Sequence, residues 1–562
     1  MRSSRCALGA ALLGAAALAA DSPPPFRFVD AGRTAGLTAT TVFGGREVNR
    51  YLLETTGTGV AMIDYDGDGR LDLFFVNGTT LEGFPPGQEP RPHLYRNLGD
   101  GRFEDVTQAA GLHDQHGWGQ GTCVGDYDND GHDDLFVTYY GQNRLYRNEG
   151  GRFREVTSEA HLTQDRLRWN TGCAFLDYDR DGDLDLIVAN YIDLDLATAP
   201  TPDSGLCRYK GVPVACGPPG LKGGTNVLYR NRGGTFEDVS IPSGIAAAQG
   251  TYGLGVVTLD FDDDGWVDVY VANDSNPSAL YLNRRDGTFE DIGVMAECAF
   301  SQDGKPQAGM GIGAGDYDRN GTIDLVKTNF AEDTSTLYAN TGEGFCEDRT
   351  FQAGLGQNTR WLGWGAGFAD FDNDGWLDIF LTNGHVYPEV RQIKGEAGYE
   401  QRKVVYRNIE GRFEDITMQL GPPATTPKAG RGTAFGDVDN NGTIDVAINN
   451  VHDTPDLFLT RAPAENHWLI LRLQGTKSNR NAIGARVRAV TGDVAQVQEV
   501  RGGGSYLSQN DLRVHFGLGR AATVDRLEVR WPNGSTEVWT NVKADQILTL
   551  TEGKGTSPQG SR

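Results

Sequence analysis

Carboxylates recur in this chain at one fixed spacing. Asp64-Tyr65-Asp66-Gly67-Asp68-Gly69-Arg70-Leu71-Asp72 places them at positions 1, 3, 5 and 9, with glycine at position 6 and an apolar residue at 8. Hard oxygen donors alternating along a loop that glycine lets turn sharply suit Ca2+, which takes about six to eight oxygens at roughly 2.3–2.6 Å. The spacing returns at Asp126, Asp128, Asp130 and Asp134; at Asp177, Asp179, Asp181 and Asp185; and at Asp260, Asp262, Asp264 and Asp268. Three further copies are Asp316, Asp318, Asn320 and Asp324; Asp370, Asp372, Asp374 and Asp378; and Asp437, Asp439, Asn441 and Asp445. These residues are the expected ligands of up to seven calcium ions. Asn320 and Asn441 keep a carbonyl donor but lose a charge, so their loops are expected to bind more weakly.

An EF-hand would carry glutamate at position 12 and a helix on each side. Position 12 is instead Phe75, Val137 and Val188 in the first three copies, and the residues after each loop are apolar and strand-like. Asp/Gly stretches are often solvated turns, but seven copies with four spaced donor positions favour metal loops inside β-hairpins.

The elements that must hold these loops also repeat. A short apolar strand precedes each one, with glycine five residues ahead of position 1: Gly59, Gly121, Gly172, Gly255, Gly311, Gly365 and Gly432. A glycine fixed at one place in a strand marks close approach of another backbone; in a radial array that place is the axis. A second strand follows, then a third around Leu94-Tyr95-Arg96-Asn97 and its counterparts, then a fourth beginning near Phe103, Phe153, Phe236, Phe289, Phe345 and Phe413. Four strands per unit, recurring through the chain, predict an all-β fold: a seven-bladed β-propeller. The seventh unit ends near Leu459 without a fourth strand, and a spare one stands at Phe26-Arg27-Phe28-Val29-Asp30. This N-terminal strand is expected to close the ring, which removes exposed sheet edges.

The 562 residues carry a net charge of -25. Five loops supply four aspartates and two supply three, so much of the acidity belongs to the loops, and seven divalent ions would offset 14 of those charges. No basic cluster invites nucleic acid. Residues 1–20, with Arg2, Arg5, an apolar run and Ala17-Leu18-Ala19, form an expected secretory signal too short to anchor in a membrane. The product is expected to be extracellular or periplasmic, monomeric and without stable membrane insertion. Six cysteines remain, for which Cys207–Cys216 is the first expected disulfide and Cys298–Cys346 the second; Cys123 and Cys173 read equally well as free buried thiols.

The propeller is expected to span 21–462. An insertion at 192–224, with both Cys207 and Cys216, falls between the second and third strands of the third unit, and shorter insertions occur at 78–93 and 384–402. Long loops on a rigid scaffold are where binding usually resides. From 466 to 552 the metal loops stop, strands alternate, and Asn533-Gly534 marks a hairpin turn, so a separate, small β-sandwich-like domain is expected, followed by a disordered tail at 553–562.

The seven units resemble FG-GAP/VCBS repeats, the blades of integrin α propellers. Gly484-Ala485-Arg486-Val487, Gly503-Gly504-Ser505-Tyr506-Leu507-Ser508-Gln509, His515-Phe516-Gly517-Leu518-Gly519 and Val529-Arg530-Trp531-Pro532-Asn533-Gly534 resemble the ASPIC/UnbV domain. Together they are similar to the cartilage acidic protein family and its bacterial relatives. The resemblance implies a seven-bladed propeller with calcium in its hairpins; it implies no reaction.

No Gly-x-Ser-x-Gly elbow, phosphate loop or His-Glu-x-x-His is present. His385 reads as a loop-ordering residue, with binding or catalysis the minor alternative, and His515 as strand packing. Trp118, Trp169, Trp361 and Trp364, near one end of the ring, are packing residues or a sugar-stacking surface. Two functions follow: a secreted calcium-binding scaffold that binds protein or polysaccharide through its loops, or a propeller enzyme acting on polysaccharide.

Overall fold

The computed structural model describes residues 24–247 and 250–557; the expected signal segment lies outside them. Among the described residues, seven four-stranded antiparallel sheets form the blades of a ring. Blade 1 comprises Val60–Ile63, Asp72–Phe75, His93–Gly99 and Arg102–Asp105 in that order. In every blade the second strand begins at position 9 of the metal loop, as in Asp134–Tyr139 and Asp185–Asn190. The loops therefore sit at one end of the ring. The connections between second and third strands, including the insertions, emerge at the other.

The ring closes as the sequence predicts. In blade 7 the fourth strand is Arg27–Asp30, which pairs antiparallel with Asp456–Arg461 and sets Phe28 opposite Thr460. Phe28 also takes the packing place of a fourth-strand phenylalanine. Position-2 aromatics meet that residue on the next blade: Tyr65 with Phe153, Tyr127 with Phe236, and Phe371 with Phe28 at 5.4 Å.

The recurring glycines stand where backbones cross. A Cβ on Gly172 would lie 2.4 Å from the carbonyl oxygen of Leu254 in the next blade, and one on Gly432 2.6 Å from that of Thr58. Real side chains essentially never come so near, so these inner strands admit no residue larger than glycine there. Among the described residues, three disulfides tie the chain. Cys207–Cys216 staples the long insertion, Cys298–Cys346 links the end of blade 4 to the outer strand of blade 5, and Cys123–Cys173 joins the inner strands of blades 2 and 3. The last pair, left open by the sequence, is bridged because adjacent inner strands bring the two Cα atoms to 5.8 Å.

Beyond the propeller, one sheet places His467–Gln474 between Val514–Gly519 and Gln546–Thr551. A second orders Val494–Glu499, Arg486–Thr491, Thr523–Arg530 and Thr536–Lys543. Leu469, Val487, Phe516, Leu527 and Trp531 fill the space between them. One expectation is corrected here. Residues 553–556 are not a loose tail: Thr556 exchanges backbone hydrogen bonds with Val538, extending the edge of the second sheet, while 558–562 lie outside the described residues. The C-terminal unit is docked on the metal-loop end of the ring.

Candidate metal loops and the two faces of the ring

Within each loop the four acidic positions divide their work. In the first five loops, ligand oxygens of positions 1, 3 and 9 lie within 4.8 Å of one another, as at Asp64, Asp66 and Asp72. Position 1 accepts the amide of the position-6 glycine with one oxygen, as Asp126 Oδ2 does from Gly131 N at 2.8 Å. Position 9 is fully buried, and both its oxygens accept backbone amides: Asp134 Oδ2 from Tyr127 N at 3.1 Å, Oδ1 from Asn148 N at 2.7 Å. Position 5 is not part of the cluster. Its side chain caps the amide two residues on, as Asp130 does for His132 and Asn320 for Thr322. Asparagine there keeps this hydrogen bond and loses only a charge, so the expectation of weaker binding in the fifth and seventh loops rests on that charge alone.

The cluster fits a divalent cation. Buried oxygens without a protein partner point to a missing one: Oδ1 of Asp64, Asp177, Asp260 and Asp316 at position 1, and Oδ1 of Asp179, Asp372 and Asp439 at position 3. Burial, with repulsion from neighbouring carboxylates, pushes Asp72 up to about 8 and Asp126, Asp177, Asp260, Asp316 and Asp437 to about 7. Burial also drives the position-9 residues Asp134, Asp185 and Asp268 well upward. Such a site favours either protons or a cation over bare negative charge. Positions 1 and 3 would hold the ion, with position 9 chiefly bracing the loop.

The third-strand motif around Tyr95-Arg96-Asn97 supports these loops in two ways that spacing alone does not show. Its arginine pairs with positions 3 and 5, as Arg147 does with Asp128 at 2.8 Å and Asp130 at 3.0 Å. Its asparagine stitches blades together. Asn148 Nδ2 donates to the carbonyl of Asp133 in its own loop and to that of Tyr65 in the preceding one; Asn231 does the same with Leu184 and Tyr127. Asn97 reaches Val438 of blade 7, so the stitching also crosses the closure.

The C-terminal domain reads the whole circle of loops. Arg472 pairs with Asp64 at 2.7 Å, Asn481 bonds Asp126 N and Asp133, Asn479 faces Asp177, and Arg530 pairs with Asp260. Arg486 donates to the carbonyl of Gly321, Gly519 N to that of Asn373, and Arg513 to that of Asp437. His515 Nε2 lies 3.1 Å from the Gly442 carbonyl, so it contacts a blade 7 loop as well as packing in its strand.

Residues 502–511 then enter the central channel. Gly504 N donates to Val256 O, Ser505 exchanges two bonds with Ile312, Thr122 N donates to Leu507 O, and Gln509 exchanges two with the Val60 strand. These are the inner-strand groups that would otherwise face an open bore. Tyr506, fully buried at the tip, donates to Thr56 O at 3.1 Å and meets Trp364 edge-on at 4.7 Å. Ser505 and Leu507 adopt positive φ (both 53°), which fits a segment held tightly on all sides.

The opposite face is built by the insertions. Trp169, Tyr191, Val214, Tyr252, Trp364, Val386 and Tyr387 form one apolar cluster there with Tyr506. Trp169 and Trp364 are therefore core residues, and Trp118 packs on Phe43 at 5.3 Å, so these three form no exposed sugar-stacking row. His385 orders its loop by accepting the amide of Tyr387 at 3.1 Å; burial drives it down to about 3, so it stays neutral at physiological pH. Beneath the insertions lies a cavity of about 280 Å³, lined chiefly by apolar and aromatic groups.

Family comparisons agree with this architecture. The FG-GAP-like repeat model matches 64–137, 126–188 and 260–327, and the ASPIC and UnbV model matches 475–557. The chain carries FG-GAP-like repeats and an ASPIC/UnbV domain. It is 25% identical over 505 residues to cartilage acidic protein 1 of Xenopus tropicalis, covering 85% of this chain and 70% of that protein. To the Homo sapiens protein it is 26% identical over 327 residues, 56% and 46% of the two chains. Among solved structures, the BP39L lectin of Burkholderia pseudomallei aligns with a TM-score of 0.44 at 10% identity, over 73% of this chain and 97% of that one. A Bacillus licheniformis rhamnogalacturonan lyase aligns at 0.37 and 11% identity, over 77% and 75%. The ASPIC/UnbV segment includes the whole channel plug at 502–511 and several residues that contact the metal loops. Among the described residues no helix is long and apolar enough to cross a membrane.

Proposed function

We propose that this protein is a secreted, calcium-stabilised β-propeller that binds a protein or polysaccharide through the loops of one face. The inequality of the two faces carries this reading. The metal-loop face and the channel are occupied by the chain's own C-terminal domain, while the other face presents the disulfide-stapled insertion, the 384–402 segment and a cavity. Three disulfides suit an oxidising compartment. The cavity lining is mostly apolar with a single carboxylate, a composition suited to holding a ligand.

The test is a glycan array and a protein pull-down with the calcium-loaded mature chain, alongside a C207S/C216S variant and a polysaccharide-cleavage assay. Capture that weakens in the variant is the expected result. Capture untouched by loosening the insertion would move the binding surface elsewhere, and cleavage of the captured polysaccharide would make the protein an enzyme.

A further inference from the structure

We propose that the cavity around Asp274 is a binding site for a small organic ammonium ion. It uses the open loop face of the preceding reading but requires no macromolecular partner. Its walls include Tyr191, Phe330, Tyr387, Met310 and Leu254, with Gly217 and Pro218 of the stapled insertion above. Gly217, Ser275 and Phe330 are only partly buried, which places the rim at the surface.

Among the described residues, Asp274 is the one charged residue in that lining, to which no Lys, Arg or His contributes. Its carboxylate is held in place: Tyr191 Oη donates to Oδ2 at 2.5 Å and Ser275 Oγ to Oδ1 at 2.9 Å. Burial raises its pKa, and these two hydrogen bonds oppose the rise. A carboxylate in apolar surroundings without a counter-charge is unfavourable, and it invites one. Each oxygen retains further acceptor capacity. Tyr191, Phe330 and Tyr387 line the same cavity, and aromatic rings supply the other attraction a cation seeks. Trp364 contributes less, because Arg431 already lies 4.3 Å from its ring.

The occupant is organic rather than a bare metal ion. A calcium-type cation requires about six to eight oxygens. Here the lining supplies a single carboxylate, and Thr55 and Thr56 direct their hydroxyl protons to Leu52 O and Gln120 Oε1. The volume of about 280 Å³ and the apolar walls suit an ammonium group on a compact hydrocarbon or aromatic body.

Benzylammonium and its neutral counterpart benzyl alcohol separate charge from shape. Calorimetric titration of the calcium-loaded full chain should show benzylammonium binding at least about tenfold more tightly than the alcohol. Asp274→Asn, confirmed folded by its melting curve, should reduce that preference to about one. Equal affinities, no binding of benzylammonium, or a preference that survives in Asp274→Asn would each overturn the assignment. The comparison of the two probes on the unaltered protein holds even where the variant fails to fold. A partner captured by the loop face while benzylammonium stays silent would refute this cavity assignment and leave the loop-face reading standing. Benzylammonium binding with nothing captured would do the reverse.

Discussion

Four acidic positions that look alike in each loop are chemically unequal. Position 9 spends both oxygens on backbone amides, so Asp134→Asn would present an amide group to a donor that needs an acceptor. It should cost about 1–3 kcal/mol in urea unfolding, with or without calcium. Asp130→Asn, which copies what Asn320 and Asn441 already do, should stay within about 0.5 kcal/mol. Asp128→Ala removes a clustered oxygen and should lower melting modestly in calcium, with much less effect in chelator. The donor spacing was plain in the sequence. The division of labour was not, because it depends on which way each carboxylate turns once position 9 begins the second strand and position 5 closes the turn.

At the scale of strands, the ring is held by repeated contacts between neighbouring blades. Phe28 of the closing strand lies within 6 Å of Phe26, Phe371, Phe380 and Phe458, and Phe28→Ala should cost about 3–5 kcal/mol. Asn231→Ala breaks the bonds to Tyr127 O and Leu184 O and should cost about 1–3 kcal/mol. Thermal or denaturant melts of the two variants check both figures. The closing strand was legible from counting, since the seventh unit lacked a fourth strand and Phe26–Asp30 supplied one. The Tyr-Arg-Asn segment was legible as a repeat, yet its asparagine acts on a loop in another blade, about 80 to 100 residues earlier in the chain for Asn148 and Asn231. Local pattern does not reveal that partner.

Across the whole molecule, one end of the ring is closed by the chain itself. The C-terminal domain touches all seven metal loops and threads 502–511 through the bore, where glycine-rich backbone pairs with inner strands. From sequence this segment reads as a loop of a separate domain, because its partners lie hundreds of residues away and contribute mainly backbone groups. Tyr506→Ala removes the buried tip and should destabilise the propeller as well as the domain, by about 3–5 kcal/mol. A chain ending at 462 should aggregate, since it exposes unpaired inner-strand groups. On the proposed reading, calcium would fasten the entire assembly. One site filled at 100 times its dissociation constant adds about 2.7 kcal/mol, and several sites act on the same ring. The most direct measurement is differential scanning calorimetry of the mature protein in calcium and in excess EGTA. A substantial fall in melting temperature on chelation, regained when calcium is restored, is the predicted result; an unchanged melting temperature would contradict it.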